Sequence, residues 1–333
     1  MGGDQDSNIS RSRWILSISR WFDSEAGIDA IDINDDKQVD WFRIVPLIGM
    51  HIACLGVIRV GWSPIAVITA IALYLVRMFA ITGFYHRYFS HRAFKTNRFW
   101  QFAFGILGNS SVQRGPLWWA AHHRHHHRFA DQRQDVHSPL QHGFWWSHIG
   151  WMTSRSNFPT RYKYVKDWES YPELRWLNRY DTVVPILLAV SLFVFGKFCE
   201  TVHPELGTSG PQMLVWGFFI STTVLLHGTV TINSFDHMFG RRRFDTPDTS
   251  RNNVLLSLLT LGEGWHNNHH HYPVAARQGF YWWEIDITYY LLVGLSWFGI
   301  VRDLRPVPVG RLAANRIRNS NHADGRPASK TTK

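Results

Sequence analysis

Three short stretches of this chain concentrate histidine at spacings that suit a metal. Residues 262–273 read Gly-Glu-Gly-Trp-His-Asn-Asn-His-His-His-Tyr-Pro, which places His266, His269 and His270 at i, i+3 and i+4. On an α-helix turning about 100° per residue, these imidazoles fan over roughly one face. The same H-x-x-H-H spacing recurs at His123, His126 and His127, and His86 and His91 form a third box. One histidine-rich tract is only a compositional hint of metal binding, but three spaced tracts in one chain are a much stronger one. His237 is a ninth candidate ligand, with Asn233 four residues before it on the same helical face as a polar helper. A lone zinc hydrolase would use three ligands and a nearby acidic base, as in H-E-x-x-H, and none of these boxes contains that Glu. Eight or nine neutral imidazoles can instead supply four or five ligands to each of two metals, and imidazole suits iron, copper, zinc and nickel. Zinc has no redox role, so the ligand set points to two redox metals and to oxygen chemistry. His86 and His91 would be rotated by about 140° on a continuous α-helix, so the helix must end or deform there.

The elements that must position these boxes are apolar. The chain has 333 residues, 45% of them apolar and 15% aromatic, which excludes a disordered protein. Apolar segments at 44–58, 64–84, 183–198 and 213–232 predict four transmembrane helices, several close to the lower limit of the ~17 to 25 residues that cross a hydrocarbon core. Residues 99–108 are apolar but short and suit an interfacial or re-entrant helix. Residues 281–298 are expected to lie on the membrane surface and cover the site, because a fifth crossing would export the basic tail.

Charge sets the orientation. Arg11, Arg13, Arg20, Arg43, Arg87, Arg92, Lys95, Arg98, Arg241, Arg242 and Arg243 fall on one side of these spans, while the opposite turns carry Arg59 and Lys197. The positive-inside rule makes the rich side cytoplasmic. Both termini and all three boxes then lie in the cytoplasm, as a shared site requires. No removable signal peptide is expected, because the N-terminus begins with a polar stretch. The net charge of +10 could also mark a nucleic-acid surface. Its basic residues flank apolar spans and suit membrane phospholipid instead, so no nucleic-acid partner is expected. Residues 1–40, with Trp14, Ile15, Trp21 and Phe22, read as a cytosolic or interfacial segment, 41–304 as the membrane domain, and 305–333 as a basic, disordered tail. Cys54 and Cys199 lie in or beside apolar spans and suggest no disulfide. The expected fold is an all-α integral membrane protein of four transmembrane helices, with a cytosolic helical cap carrying the histidine boxes.

The set His86-Arg-Tyr-Phe-Ser-His91, His123-Arg-His-His126-His127, Asn233-Ser-Phe-Asp-His237 and Gly262-Glu-Gly-Trp-His266-Asn-Asn-His269-His270 resembles the membrane fatty acid desaturases of the Δ9 acyl-CoA type. The resemblance covers most of the chain, up to about Leu304. It implies a four-span, cytosol-facing fold with two iron ions ligated by His86, His91, His123, His126, His127, His237, His266, His269 and His270, and with Asn233 reaching a metal through water. It also implies O2 as co-substrate, a fatty acyl-CoA substrate, and a cis double bond placed in the middle of a saturated chain. The likeness is to members without a fused cytochrome b5 domain, which implies a bacterial cell membrane and a separate ferredoxin, rubredoxin or cytochrome as electron donor. Arg241, Arg242 and Arg243 could dock an acidic donor; positive-inside charge explains the same residues.

In such an enzyme the protein must fix which methylene lies against the metals, and a bent, dry tunnel would do so. Tyr74, on the same helical stripe as His86 and three turns deeper, is expected to help close the tunnel's far end. Asp131, Asp135 and Glu263 stand near the boxes and could hold imidazoles in the ligating tautomer, cap a helix, or sit in solvent. Eukaryotic acyl-CoA members carry an Arg-Asp pair just before box two, where this chain has Ala121 and His122. Acyl phospholipid is therefore the alternative carrier. Two rivals remain. Membrane hydroxylases share di-metal boxes but generally space them differently. A metal transporter would need ionisable ligands near the bilayer midplane, where only His51 and His227 are available.

Overall fold

The protein is seen in a computed structural model that describes residues 18–28, 31 and 37–317, so Trp14, Ile15 and the tail beyond 317 lie outside the described residues. The described chain is helical, and strand pairing among those residues is limited to isolated bridges such as Lys95 with Arg302. The first apolar helix, α1 (Val45–Cys54), breaks at Leu55–Gly56 and resumes for one turn at Val57–Val60. Together Val45–Val60 is shorter than a full crossing.

Three helices are long and apolar enough to cross a membrane: α2 (Pro64–Ser90, 27 residues), α7 (Val183–Val202, 20 residues) and α8 (Gly210–His237, 28 residues). Between α2 and α7 lie α3 (Arg98–Asn109), α4 (Pro116–Phe129), α5 (146–153) and α6 (Pro172–Arg179). After α8 come α9 (Val254–Leu259), α10 (His266–His271), α11 (Ile287–Trp297) and α12 (Val309–Ala313).

Two of these helices, α2 and α8, start at a serine cap with proline in the first two positions. Ser63 caps α2 by accepting from Ala66 N, with Pro64 at the first position, where its missing N–H costs nothing. At ~1.5 Å per residue α2 runs about 40 Å, against a hydrocarbon core of about 30 Å. It is therefore longer than a hydrocarbon core by several residues, with His86 in its last turns, and α8, of 28 residues, ends at His237. Arg77, the one charge in this apolar stretch, is buried and fully used. Its guanidinium donates to Ser221 Oγ (2.6 Å) and Thr222 Oγ1 (2.7 Å) on α8 and to the Ser110 carbonyl (3.2 Å), tying α2 to α8 and to the end of α3.

The largest core gathers around the C-terminal end of α2. Phe84, Tyr85, Tyr88 and Phe89 pack against Phe104 of α3, Leu117 and Ala121 of α4, Leu174 of α6 and Leu292 of α11. Gly108 is required at one contact, since a Cβ there would sit 2.1 Å from the Tyr85 ring. The tail expected to be disordered from 305 is ordered as far as 317. Arg305 N donates to the Ala93 carbonyl, Ile317 N donates to the Arg243 carbonyl, and Val307 and Leu312 pack on the buried Phe244 cluster. Two apolar residues in a basic segment suffice, because Phe244 offers them a surface that the local sequence does not reveal.

Candidate metal centre

The first box sits on a deformed helix. Residues Ala80–Ser90 of α2 are π-helical, with i→i+5 hydrogen bonds that end as His91 N donates to the His86 carbonyl at 3.2 Å. That bonding brings residues five apart onto one side, which an α-helix would not do. The His86 and His91 rings lie 4.9 Å apart. The second box lies on α4 and the third on the single turn of α10, where H-x-x-H-H does share a face. The Gly-Glu-Gly run before α10 has a steric reason. Gly262 adopts φ +125° with Asp286 Oδ1 2.5 Å from where a Cβ would stand, and a Cβ on Gly264 would lie 2.2 Å from the Ser257 backbone nitrogen.

All nine candidate histidines converge, in two groups. His86, His91, His123, His127 and His269 form one, and His126, His237, His266 and His270 the other; within each group the offered atoms lie within 4.8 Å of one another. Boxes two and three each divide between the groups. Facing Nε2 atoms stand 3.0 Å apart for His86–His269 and for His237–His266, 2.8 Å for His91–His123, and 2.9 Å for His127–His269.

Carboxylates behind the rings fix the tautomers of four of them. Nδ1 of His126 donates to Asp135 (2.9 Å), that of His237 to Asp131 (3.2 Å), that of His270 to Asp248 (2.9 Å), and that of His86 to Glu263. With Nδ1 protonated, each Nε2 presents a lone pair to the centre. His270 Nε2 is buried without a hydrogen-bond partner. Orphaned, inward-facing imidazole lone pairs fit cations, and five-plus-four nitrogen donors suit a pair of first-row transition metals.

Electrostatics agree with this reading. Burial pushes His91, His123, His127, His266 and His269 well below the usual imidazole range, helped by neighbouring imidazoles, which keeps them in the neutral form that a metal requires. Burial alone would raise Asp131, Asp135 and Asp248, but hydrogen bonds and attraction from His237, from His126 and His137, and from His270 outweigh it and hold all three low. His137, which shares Asp135, is pushed by burial and by His126 down to about 4.

The spacing alone misses several of these partners. Asp248 is 22 residues from His270 and carries no motif. Gln278 reaches Glu263 (3.2 Å) and the Nδ1 atoms of His86 and His269. Arg87, fully buried, bridges Glu263 (3.1 Å) and Asp286 (2.9 Å). Glu263, between two glycines beside box three, can be picked out by its place, as can Asp131 and Asp135 beside box two. Of the basic run, Arg243 is drawn inward to Glu284, while Arg242 pairs with Asp245 at 3.5 Å.

Two cavities meet at the centre. The larger, about 210 Å³, runs from Arg20, Arg43 and Asp181 past apolar residues of α1 and α8 to His123. The smaller, about 40 Å³, continues past His86, His126 and His266 to Met78. Trp119, His123, Thr229 and Asn233 line both. Tyr74 stands one turn beyond Met78, outside both linings, packed with Met78, Leu225 and Leu261 and donating to the Leu259 carbonyl at 2.7 Å.

Helices throughout the described residues, three of them of membrane length, and two imidazole clusters suited to metals with cavities beside them fit the class of membrane-associated metal enzymes. Comparison with known proteins resolves the family: the fatty acid desaturase family profile matches residues 61–294, and the chain belongs to that family of oxidoreductases. It is 35% identical to an acyl-CoA 5-desaturase of Anemone leveillei, over 81% of this chain and 80% of that one. It is 32% identical to an sn-2 palmitoyl-lipid 9-desaturase of a Nostoc species, over 85% of this chain and 96% of the relative. A third relative, an sn-1 stearoyl-lipid 9-desaturase of Anabaena variabilis, is 33% identical over 83% and 97%.

Proposed function

We propose that this protein uses O2 to remove one hydrogen from each of two adjacent methylenes of a saturated acyl chain, leaving a cis double bond at Δ9. One O2, two electrons and two protons are consumed per double bond, and two waters leave. The observation that carries the reading is the five-plus-four grouping of nine imidazoles beside a cavity that reaches them. Two iron ions, held by His86, His91, His123, His127 and His269 and by His126, His237, His266 and His270, would supply the O2 activation, with Asn233 reaching one of them through water. The chain's own residues do the rest. Asp131, Asp135, Asp248 and Glu263 keep protons on Nδ1. The cavity excludes water and holds the chain bent past Trp119 and Thr229. Met78, with Tyr74 behind it, closes the far end.

Relatives named for acyl-CoA and for acyl-lipid substrates support both carriers. Acyl-CoA is the carrier proposed from the box pattern, and acyl phospholipid the alternative. The topology proposed is four crossings, with α1 and its one-turn continuation as the first, and with both termini and the centre on the cytoplasmic side of a bacterial cell membrane. Electrons come from a separate ferredoxin, rubredoxin or cytochrome. The test is expression in a host lacking its own desaturase, with lipids analysed by mass spectrometry and His269→Ala as control. New monounsaturated chains that vanish in the control are expected; hydroxylated chains, or no change in the lipids, would overturn the reading.

A further inference from the structure

Trp151 and His122 are two of the polar residues lining the larger cavity that the fold leaves without a hydrogen-bond partner; Thr182 Oγ1 and the Nε atoms of Arg20 and Arg43 are others. Trp151, on α5, is 6% exposed, lines the cavity, and its indole Nε1 is buried without a hydrogen-bond acceptor. His122, on α4, is 3% exposed, lines the same cavity, and neither ring nitrogen has a hydrogen-bond partner among the described residues. The Pro159 carbonyl faces the imidazole, but outside hydrogen-bond geometry. The two rings are neighbours, 5.7 Å apart, and His122 is held against Trp118 at 4.5 Å. Arg20 and Arg43 still donate from a terminal nitrogen, to Asp40 and to the Ala26 carbonyl, and three further groups on this wall are occupied. Trp118 Nε1 donates to the Asn157 carbonyl (2.8 Å), Trp21 Nε1 to the Phe42 carbonyl (2.9 Å), and Arg114 pairs with Asp181 (3.1 Å).

An indole N–H can only donate, so whatever fills this space must offer an acceptor. Along a saturated acyl chain the carbonyl oxygen at the carrier end is the one strong acceptor. We propose that Trp151 and His122 hold the acyl carbonyl, ester or thioester, and thereby set how many carbons lie between it and the metal centre; this rests on the desaturase reading above.

The separation fits. From Trp151 the rings step 5.0 Å to His137 and 4.4 Å on to His126, a member of the four-imidazole group. A bound metal stands about 3 Å beyond a ring centre. An extended alkyl chain advances about 1.25 Å per bond, given ~1.5 Å bonds at near-tetrahedral angles, so this path of about 12 Å is spanned by about ten bonds, the reach that sets the ninth and tenth carbons near the metals. Trp151 and His122 are positioning residues: they count carbons from the carbonyl, and the chain length beyond the centre does not enter.

The experiment has two readouts. Purified full-length protein is mixed, without O2, with stearoyl-CoA or a distearoyl phospholipid in separate arms, each labelled with ¹³C at the carbonyl, and the carbonyl band is followed by difference infrared spectroscopy. The parent should shift the band to lower wavenumber for the carrier it accepts. Trp151→Phe and His122→Phe should return it toward the free position, and His122→Gln, which keeps an N–H, should restore part of the shift. In turnover, the parent should give the same Δ position on C14, C16 and C18 chains, whereas Trp151→Phe should spread the double bond over neighbouring positions. An unshifted band in the parent, an unchanged band and a single isomer in both Phe variants, or a parent product that tracks the methyl end would each overturn the proposal. If the parent yields no unsaturated product while the carbonyl shift is present, the functional reading fails and the carbonyl contact stands.

Discussion

Asp131→Asn perturbs the four-imidazole group while leaving all nine imidazoles in place. Asp131 Oδ2 accepts from His237 Nδ1 (3.2 Å), from Thr249 N (2.7 Å) and from Thr249 Oγ1 (2.6 Å), and Ser138 Oγ donates to Oδ1 at 2.6 Å. An amide has one oxygen to offer, so one side of this network meets an NH2 where it needs an acceptor. If the NH2 faces His237, the imidazole must carry its proton on Nε2, the atom offered to a metal. Loss of such a carboxylate typically costs a ligating imidazole 10- to 100-fold in metal affinity, or about 1.4 to 2.7 kcal/mol. The stranded buried donor costs the fold a further ~1 to 3 kcal/mol. The assay is iron content against a graded chelator series, with Mössbauer spectra of the iron that remains. The variant should release about half its metal at 10- to 100-fold lower chelator strength than the parent and keep the rest. Glu263→Gln, which acts on His86 in the five-imidazole group, should empty the other half first. Parent-like retention of both metals in Asp131→Asn would refute the tautomer argument.

The remaining predictions concern stability and cavity shape. Burial holds His91, His123, His127, His266 and His269 below the ordinary imidazole range. Below pH ~6.5 the unfolded chain takes up protons that the folded one refuses, and each such group removes about 1.4 kcal/mol of stability per pH unit. Chelator-stripped protein should therefore melt at a nearly constant temperature above about pH 7 and at steeply lower ones toward pH 5.5; a flat profile across that range would contradict the burial argument. The depressed Asp131, Asp135 and Asp248 act in the same direction in a lower window, below about pH 4. Arg87→Met strands Glu263 and Asp286 in the interior and should cost about 3 to 5 kcal/mol, read as loss of folded protein in detergent by size-exclusion chromatography. Gly264→Ala drives a Cβ into the Ser257 backbone and should abolish metal retention even where membrane insertion is unchanged. Met78→Ala lengthens the far cavity and should shift lipid profiles toward longer products, and Tyr74→Ala should add to that shift; an unaltered chain-length distribution in both would remove α2 from the account of the cavity's end.

The convergence of the histidines was legible because box spacing and helix period are both local. The need for a distortion between His86 and His91 was legible too, since it follows from arithmetic on 100° per residue. That the distortion is a π-helix was not, because it depends on the core that grips Phe84, Tyr85 and Phe89 from α3, α4 and α6. Asp131, Asp135 and Glu263 could be suspected from nearness in sequence. Asp248 and Gln278 could not, since each reaches its imidazole only after the loop following α8 and the residues after α10 have folded back. Membrane segments showed the same split. α2, α7 and α8 stood out by hydropathy, whereas α1 owes its break to Leu55–Gly56 and falls short of a full crossing. The order of residues 305–317 depends on Phe244, some sixty residues earlier, and nothing local announces it.

The π-helical end of α2 behaves as a shim, eleven residues of wider pitch set into an otherwise regular rod. The i→i+5 register between Ala80 and Ser90 is what sets the spacing of His86 and His91, so a change of length there has nowhere to be absorbed. Deleting a residue between His86 and His91 would break that register, and the two rings would swing apart as though the deletion had removed a ligand. The same deletion nearer Pro64 would disturb the seat of Ala66 against Leu192, Met213 and Phe218 and leave the spacing of His86 and His91 alone. Tolerance to insertions and deletions along this one helix should therefore fall abruptly at Phe79, a boundary drawn by backbone register alone.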